Sequence, residues 1–223
     1  VVTTLNGKAA VSERHPLSIG SELRLTGAHA LINRSDAVLV IGSKLGEAEL
    51  WGGVIAPEGP VLRVDVLESQ LQKNVKTAAG IVGHSEAVVP QLLAALPGQD
   101  RPAWVDLDAV RAGLAEESAG FSPVLNSIAE RIASVLPAEA IVGGDSSQIT
   151  YFGMASRSVQ ERSHSFLYTP AYATLGYGLP ASIGARVASP DRPVVCVLGD
   201  GALMFAIQEF ATAVEQHLDL TVI

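Results

Sequence analysis

A single cysteine among 223 residues leaves no partner for an internal disulfide. Cys196 lies inside the apolar run Val194-Val195-Cys196-Val197-Leu198, where it reads as a small buried hydrophobe rather than a nucleophile. Clusters of lysine or arginine are missing as well, and the formal charge is −8. Without neighbouring cations a chain cannot neutralise successive phosphates, so no nucleic-acid partner is expected. No apolar stretch approaches the ~20 residues that cross a bilayer. The amino end lacks the basic-then-apolar order of a secretory leader. No membrane is therefore expected, and the location is read as cytoplasmic. No glycine-rich loop ends in Gly-Lys-Ser or Gly-Lys-Thr, which removes a P-loop. The five histidines, His15, His29, His84, His164 and His217, show no metal-binding spacing.

Charge is scarce, at 17% of residues, while 48% are hydrophobic. Those are the proportions of parallel strands buried between two layers of helix. The length suits two ordinary domains better than one large one. Residues 1–4, 37–41 and 61–66 read as strands, residues 27–34 as a short helix, and Ser85 as the cap of a helix reaching about residue 96. Such alternation implies a parallel sheet, with ligands held in the turns after its strands. Residues 97–120 read as a linker, a polar proline-bounded stretch followed by an acidic amphipathic helix around residues 105–117.

A second domain then opens with Ser122 as N-cap and Pro123 as first helical residue, and with Val124, Leu125, Ile128, Ile132 and Val135 on one apolar face. Strands over residues 140–142 and 194–198 and helices over 180–188 and 202–217 follow. The expected fold class is α/β, with two doubly wound parallel-sheet domains over residues 1–96 and 121–223. Both read as truncated, because the chain opens without methionine on one strand and closes at residues 220–223 on the start of another.

The sharpest chemical signal is the apolar strand that empties into Gly199-Asp200-Gly201-Ala202. Glycines let backbone approach a ligand, a helix start offers free N–H groups to an anion, and an aspartate at the strand tip can hold a hard cation. Together these suit a metal diphosphate. An ordinary strand-to-helix turn with Asp200 as N-cap would read the same way on this motif alone.

Upstream, Thr169-Pro170-Ala171-Tyr172-Ala173-Thr174-Leu175-Gly176-Tyr177-Gly178-Leu179-Pro180-Ala181 precedes the Gly-Asp-Gly strand, and Ile141-Val142-Gly143-Gly144-Asp145-Ser146-Ser147-Gln148 precedes both. In order and spacing this set resembles the thiamine-diphosphate-dependent enzymes of the acetolactate synthase, benzoylformate decarboxylase and 2-oxo-acid decarboxylase group. Residues 2–8 and 15–20 are similar to the middle domain of the same enzymes, so the resemblance covers essentially the whole chain.

The resemblance implies thiamine diphosphate and Mg2+ as cofactors, with Asp200 as a metal ligand and Gly199, Gly201 and Ala202 meeting the diphosphate. It implies Ser147 and Gln148 at the phosphate end, carbonyls near Ala173 and Thr174 at the pyrimidine, and Leu175 as an apolar wedge that bends the cofactor. A plain core leucine at position 175 remains an alternative. The activating glutamate and the asparagines that complete the metal site would lie outside this chain, so no catalytic residue is assigned within it and the isolated chain is expected to be inactive. The implied substrate is a small 2-oxo acid, decarboxylated with or without transfer to a second carbonyl, and the implied assembly is a homodimer or homotetramer of a full-length parent.

Two departures shape the expectation. Ile149 stands where acetolactate synthases often have histidine, and the wording of the two motifs looks closer to decarboxylases of bulky or basic 2-oxo acids, such as guanidino-oxo-pentanoate decarboxylase. The loop Gly42-Ser43-Lys44-Leu45-Gly46-Glu47-Ala48-Glu49 is acidic and unlike the arginine-bearing loop that contacts FAD in acetolactate synthases; this weighs against FAD and favours a vestigial nucleotide fold. Rival readings are a NAD-binding oxidoreductase, since Gly176-x-Gly178-x-x-Ala181 formally fits the dinucleotide fingerprint, and a non-catalytic relative that kept the fold.

Overall fold

The computed structural model describes residues 1–98 and 102–223. The chain divides into two compact units, one formed by Arg24–Asp106 and the other by Val1–Leu23 together with Leu107–Ile223.

The Arg24–Asp106 unit runs α1 (Thr26–Asn33), β1 (Val38–Ile41), α2 (Glu47–Leu50), β2 (Val61–Asp65), β3 (Ala79–Val82) and α3 (Ser85–Ala95). Its three strands are parallel in the order β1-β2-β3, with Val38 opposite Val61 and Leu62 opposite Ala79. The short β3, Ala79-Gly80-Ile81-Val82, was not read from the sequence; it pairs with the free edge of β2. Arg63 in β2 is buried, and its guanidinium donates to the carbonyls of Gln70 and Lys73 at 2.6 and 2.7 Å, tying down the turn between β2 and β3. Burial pulls the Arg63 pKa down, and Asp65 partly offsets this. At α3 the capping position falls on His84, not Ser85, and no side chain caps the helix.

The other unit contains α4 (Leu107–Phe121), α5 (Pro123–Val135), β4 (Ile141–Gly144), a π-helical turn (Thr150–Met154), α6 (Ala155–Arg157), β5 (Phe166–Leu167), α7 (Gly178–Ala188), β6 (Val194–Val197), α8 (Asp200–Met204), α9 (Glu209–Glu215) and β7 (Thr221–Val222). The α5 start is as read: the Leu125 N–H donates to the Ser122 hydroxyl at 3.4 Å, with Pro123 in the first turn. The four strands are parallel in the order β5-β4-β6-β7. Because side chains alternate along a strand, Val195 and Val197 of β6 join Ala129, Val142, Met154 and Phe166 in one core. Cys196, with Leu198 just past the strand, joins Leu179, Ile183, Ala202 and Ala213 in another. Both sheet faces are thus covered, which is what a parallel sheet demands. The chain is α/β throughout, and the reversal of strand order that defines double winding lies in this second sheet.

Several local expectations give way. Residues 1–4 form no strand; the amino-terminal segment instead packs on the β4–β7 unit, with Leu5 in its core. A buried ion pair anchors it. Lys8 Nζ meets Glu13 Oε1 at 2.8 Å and the Ala155 carbonyl at 2.9 Å, while Glu13 also accepts from the Ser21 hydroxyl at 2.6 Å and the Gln160 N–H at 2.7 Å. The expected linker falls partly outside the described residues, at 99–101, and partly in α4, which belongs to the same unit as β4–β7. On α5 the most buried positions are Asn126 and Ala129; of the apolar face read from spacing, Leu125 and Ile132 are half-buried, Ile132 against the core, while Val124, Ile128 and Val135 are exposed. The helix expected over 202–217 is two short helices, broken by a turn at residues 205–208. Gly143 and Gly178 let β4 and α7 pack closely, since a methyl on Gly143 would overlap the Ser182 hydroxyl.

Removing one member of a buried, hydrogen-bonded ion pair strands the other without solvent. Glu13→Ala is expected to lower unfolding stability by about 3–5 kcal/mol, read by urea denaturation; a loss under 1 kcal/mol would contradict this account of the anchor.

Candidate functional site

From β4 the chain goes to β5 on one side and then to β6 on the other, so the crevice between the carboxyl ends of β4 and β6 is a topological switch point. A pocket of about 550 Å³ opens there. Ser146, Ser147 and Gln148 line it from the turn after β4, Gly199, Asp200, Gly201 and Ala202 from the turn after β6, and Leu175, Phe205 and three apolar residues of α5 are among the rest of the wall. The two turns touch: a methyl added to Gly199 would lie 3.3 Å from Ser147 Cβ.

Of the residues picked from sequence, Ser147, Gln148, Leu175, Gly199, Asp200, Gly201 and Ala202 therefore converge on one pocket. Ala173 and Thr174 are not among its lining residues; they lie on the exposed turn just before Leu175. Leu175 is exposed at the pocket wall and is not part of either core of this unit. Asp200 is exposed too, and the capping position is Gly199, with Asp200 as first residue of α8. The N–H groups of Asp200, Gly201 and Ala202 have no carbonyl one turn back within the helix, so they are free to meet an anion. The Ser146 hydroxyl is buried without a hydrogen-bond partner on the same wall.

These groups fit a diphosphate that carries its own cation. Among the described residues no cluster of three or more histidine, cysteine, aspartate or glutamate side chains could hold a metal alone. Mg2+, however, is commonly bound through one or two carboxylates with phosphate oxygens and water filling the shell. A single carboxylate beside N–H and hydroxyl donors is that kind of arrangement.

Two residues behind the wall were given no role from the sequence, although Asp145 stands in the motif quoted there. Thr150, fully buried, receives the Asp145 N–H at 3.3 Å, meets the Ser147 hydroxyl at 3.1 Å and reaches the Val197 carbonyl at 3.4 Å, linking the two turns. Asp145 is also fully buried and accepts the N–H groups of Ser146, Gly176 and Gly178. Their signal was faint: a polar residue directly after a strand, and a threonine one turn further on. The Asp145 bonds also dispose of the dinucleotide fingerprint, because the Gly176 and Gly178 amides that would cradle a pyrophosphate are already engaged.

Comparison with known families agrees with this geometry. Residues 145–223 match the model of the thiamine pyrophosphate enzyme C-terminal TPP binding domain, and residues 1–92 match the thiamine pyrophosphate enzyme central domain. The chain belongs to the thiamine pyrophosphate enzymes. It is 32% identical over 220 residues to the probable 2-ketoarginine decarboxylase AruI of Pseudomonas aeruginosa, covering 96% of this chain and 39% of that protein. To the acetolactate synthase isozyme 1 large subunit of Escherichia coli it is 29% identical over 231 residues, covering 99% and 40%. To the sulfoacetaldehyde acetyltransferase of Roseovarius nubinhibens it is 28% identical, covering 87% and 38%. The chain thus spans about two fifths of the length of these relatives. The central-domain match starts at residue 1, so residues 1–23 belong to that domain by sequence and to the β4–β7 unit by contact.

Ala173 adopts φ +51°, in the left-handed region. A non-glycine residue pays about 1–2 kcal/mol there, and the extra freedom of glycine in the unfolded chain costs about 0.4–1 kcal/mol. Ala173→Gly is therefore expected to raise stability by roughly 0.5–1 kcal/mol in chemical denaturation; a decrease would show that the turn is not strained. Burial, helped by the charge of Asp145 and opposed by a Ser182 hydrogen bond, pushes the Cys196 thiol up to about 11 from an ordinary 9.0. The native thiol is expected to resist an aromatic disulfide reagent at pH 8 and to react at once in denaturant. Because the folded pKa is raised, the contribution of this group to stability is intact below pH 9.0 and is lost as pH rises through 11. Cys196→Ala should flatten that loss.

Proposed function

We propose that the pocket between β4 and β6 holds the diphosphate of thiamine diphosphate with Mg2+, and that the full-length protein carrying this chain decarboxylates a 2-oxo acid. The observation that carries this reading is the convergence at a switch point of an exposed carboxylate, free amides at a helix start and an unpartnered buried hydroxyl. Asp200 would ligate the metal; Gly199, Gly201, Ala202, Ser147 and Gln148 would surround the phosphates. Leu175, exposed at the pocket wall, would press on the cofactor between its rings, with the carbonyls of Ala173 and Thr174 toward the pyrimidine. When bound, thiamine diphosphate supplies a carbon nucleophile and a sink for the electron pair released as CO2 leaves.

The substrate class we favour is a 2-oxo acid with a long basic side chain. Support comes from the wording of the two motifs and from the 32% identity to a probable 2-ketoarginine decarboxylase, 2-ketoarginine being a guanidino-oxo-pentanoate. Transfer to a second carbonyl, as the acetolactate synthase relatives suggest, is the second reading. FAD is left out of the proposal because the Gly46 N–H is taken by the Glu49 carboxylate at 2.7 Å, placing negative charge where a nucleotide phosphate would need a donor. A homodimer or homotetramer is proposed on the exposed apolar side chains of Met204 and Phe205 beside the pocket. Among the described residues no helix is long and apolar enough to cross a membrane, and a cytoplasmic location remains part of the proposal.

The test is CO2 release by the full-length protein from 2-oxo acids with basic, branched and methyl side chains, with and without thiamine diphosphate and Mg2+. Cofactor-dependent release, strongest with the basic acid, is expected, and the isolated chain is expected to release none. Asp200→Ala should weaken Mg2+-dependent cofactor binding by on the order of 10-fold or more without unfolding the protein, since Asp200 is exposed. Unchanged binding in that variant would sink the metal assignment.

A further inference from the structure

We propose that Asp145 is the positioning residue of this site, its buried carboxylate holding the Leu175 turn against the pocket before any cofactor arrives. This rests on the functional reading of the pocket given above. Asp145 does not line the pocket. Its Oδ1 accepts the N–H of Ser146 at 2.7 Å and of Gly176 at 3.2 Å, and its Oδ2 accepts that of Gly178 at 2.6 Å. Gly176 and Gly178 lie 31 and 33 residues along the chain, so these bonds cross from the end of β4 to the turn that carries Leu175.

Packing alone does not hold that turn, because residues 171–175 are exposed. The turn is instead shaped to reach the carboxylate. Gly176 sits at φ +86°, and a methyl on Gly178 would come within 3.1 Å of the Gly144 carbonyl carbon and oxygen. Both positions bring a main-chain amide where a side chain would obstruct it. Only an acceptor at both oxygens satisfies the set: an asparagine of the same shape would turn an NH2 donor against one of the three N–H groups. Charge-assisted bonds to ionised oxygen are also the stronger kind. Asp145 thus acts on a ligand only through Leu175 and its neighbours.

The test uses the full-length protein, with thiamine diphosphate and Mg2+ binding followed by calorimetry. Asp145→Asn is expected to weaken binding by on the order of 10-fold or more. In a Leu175→Ala background the same change is expected to have little further effect, because both variants remove one element. Wild-type affinity in Asp145→Asn, or losses that simply multiply in the double variant, would overturn the proposal. Amide hydrogen exchange on the cofactor-free wild-type protein gives a second reading that needs no variant to fold. Gly176 and Gly178 are expected to exchange far more slowly than residues 171–174, and exchange at the rate of that exposed turn would overturn the proposal. Should the wild-type protein fail to bind thiamine diphosphate, the functional reading falls, while the exchange rates still decide whether Asp145 holds the turn.

Discussion

A carboxylate removed from water must find donors for its oxygens, and much of the candidate site is arranged so that Asp145 finds three. Its position follows from β4, which delivers residue 145 to the sheet edge fully buried. Its partners follow from the glycines of the next loop, which alone let main-chain amides come so close. Cys196 and Ser182 lie in the same buried layer, and the field of Asp145 helps keep the Cys196 thiol protonated.

The second dependence is on strand order. A parallel sheet built outward in one direction leaves no crevice between neighbouring strands, because successive crossovers cover it from the same side. The order β5-β4-β6-β7 puts consecutive crossovers on opposite faces, and the gap between them is where the turns after β4 and β6 face each other. The cores on the two faces hold β6 fixed from both sides. The amino-terminal segment closes one of those faces through Leu5 and the Lys8–Glu13 pair, so residues that belong in sequence to the central domain help support the sheet that carries the site.

Much of this was legible in the residues. The apolar run at 194–198 read as a buried strand and is one through Val197, and Ser122 and Pro123 read as a helix start and are one, whereas the Gly-Asp-Gly turn on its own suited an anion site and an ordinary strand-to-helix turn alike. The chain misled where two patterns compete. On α5 the spacing suggested one buried apolar face, yet only Leu125 and Ile132 of it are half-buried, and the most buried positions are Ala129, against Gly153 of the π-helical turn, and Asn126, whose side-chain carbonyl accepts from Arg157. Residues 1–4 have strand-forming composition but join neither sheet; their backbone bonds instead to residues 19 and 20, the Ile19 N–H donating to the Val1 carbonyl and the Thr3 N–H to the Gly20 carbonyl. In β3 the converse holds, since Ala79 and Gly80 precede only two strand-forming residues, Ile81 and Val82, and the segment still pairs with the edge of β2.

The sequence by itself determined the α/β class, the buried strand that leads into Gly199, and the two small-residue turns that line the pocket, because these depend on periodicity and on side-chain types within a few positions of one another. Tertiary structure alone decided that the two turns meet at one pocket, that residues 1–23 pack with residues 107–223, and that Asp145 reaches Gly176 and Gly178. Each of those is a contact between segments distant along the chain, set by strand order and by how closely backbones can approach, and neither quantity is written in local pattern.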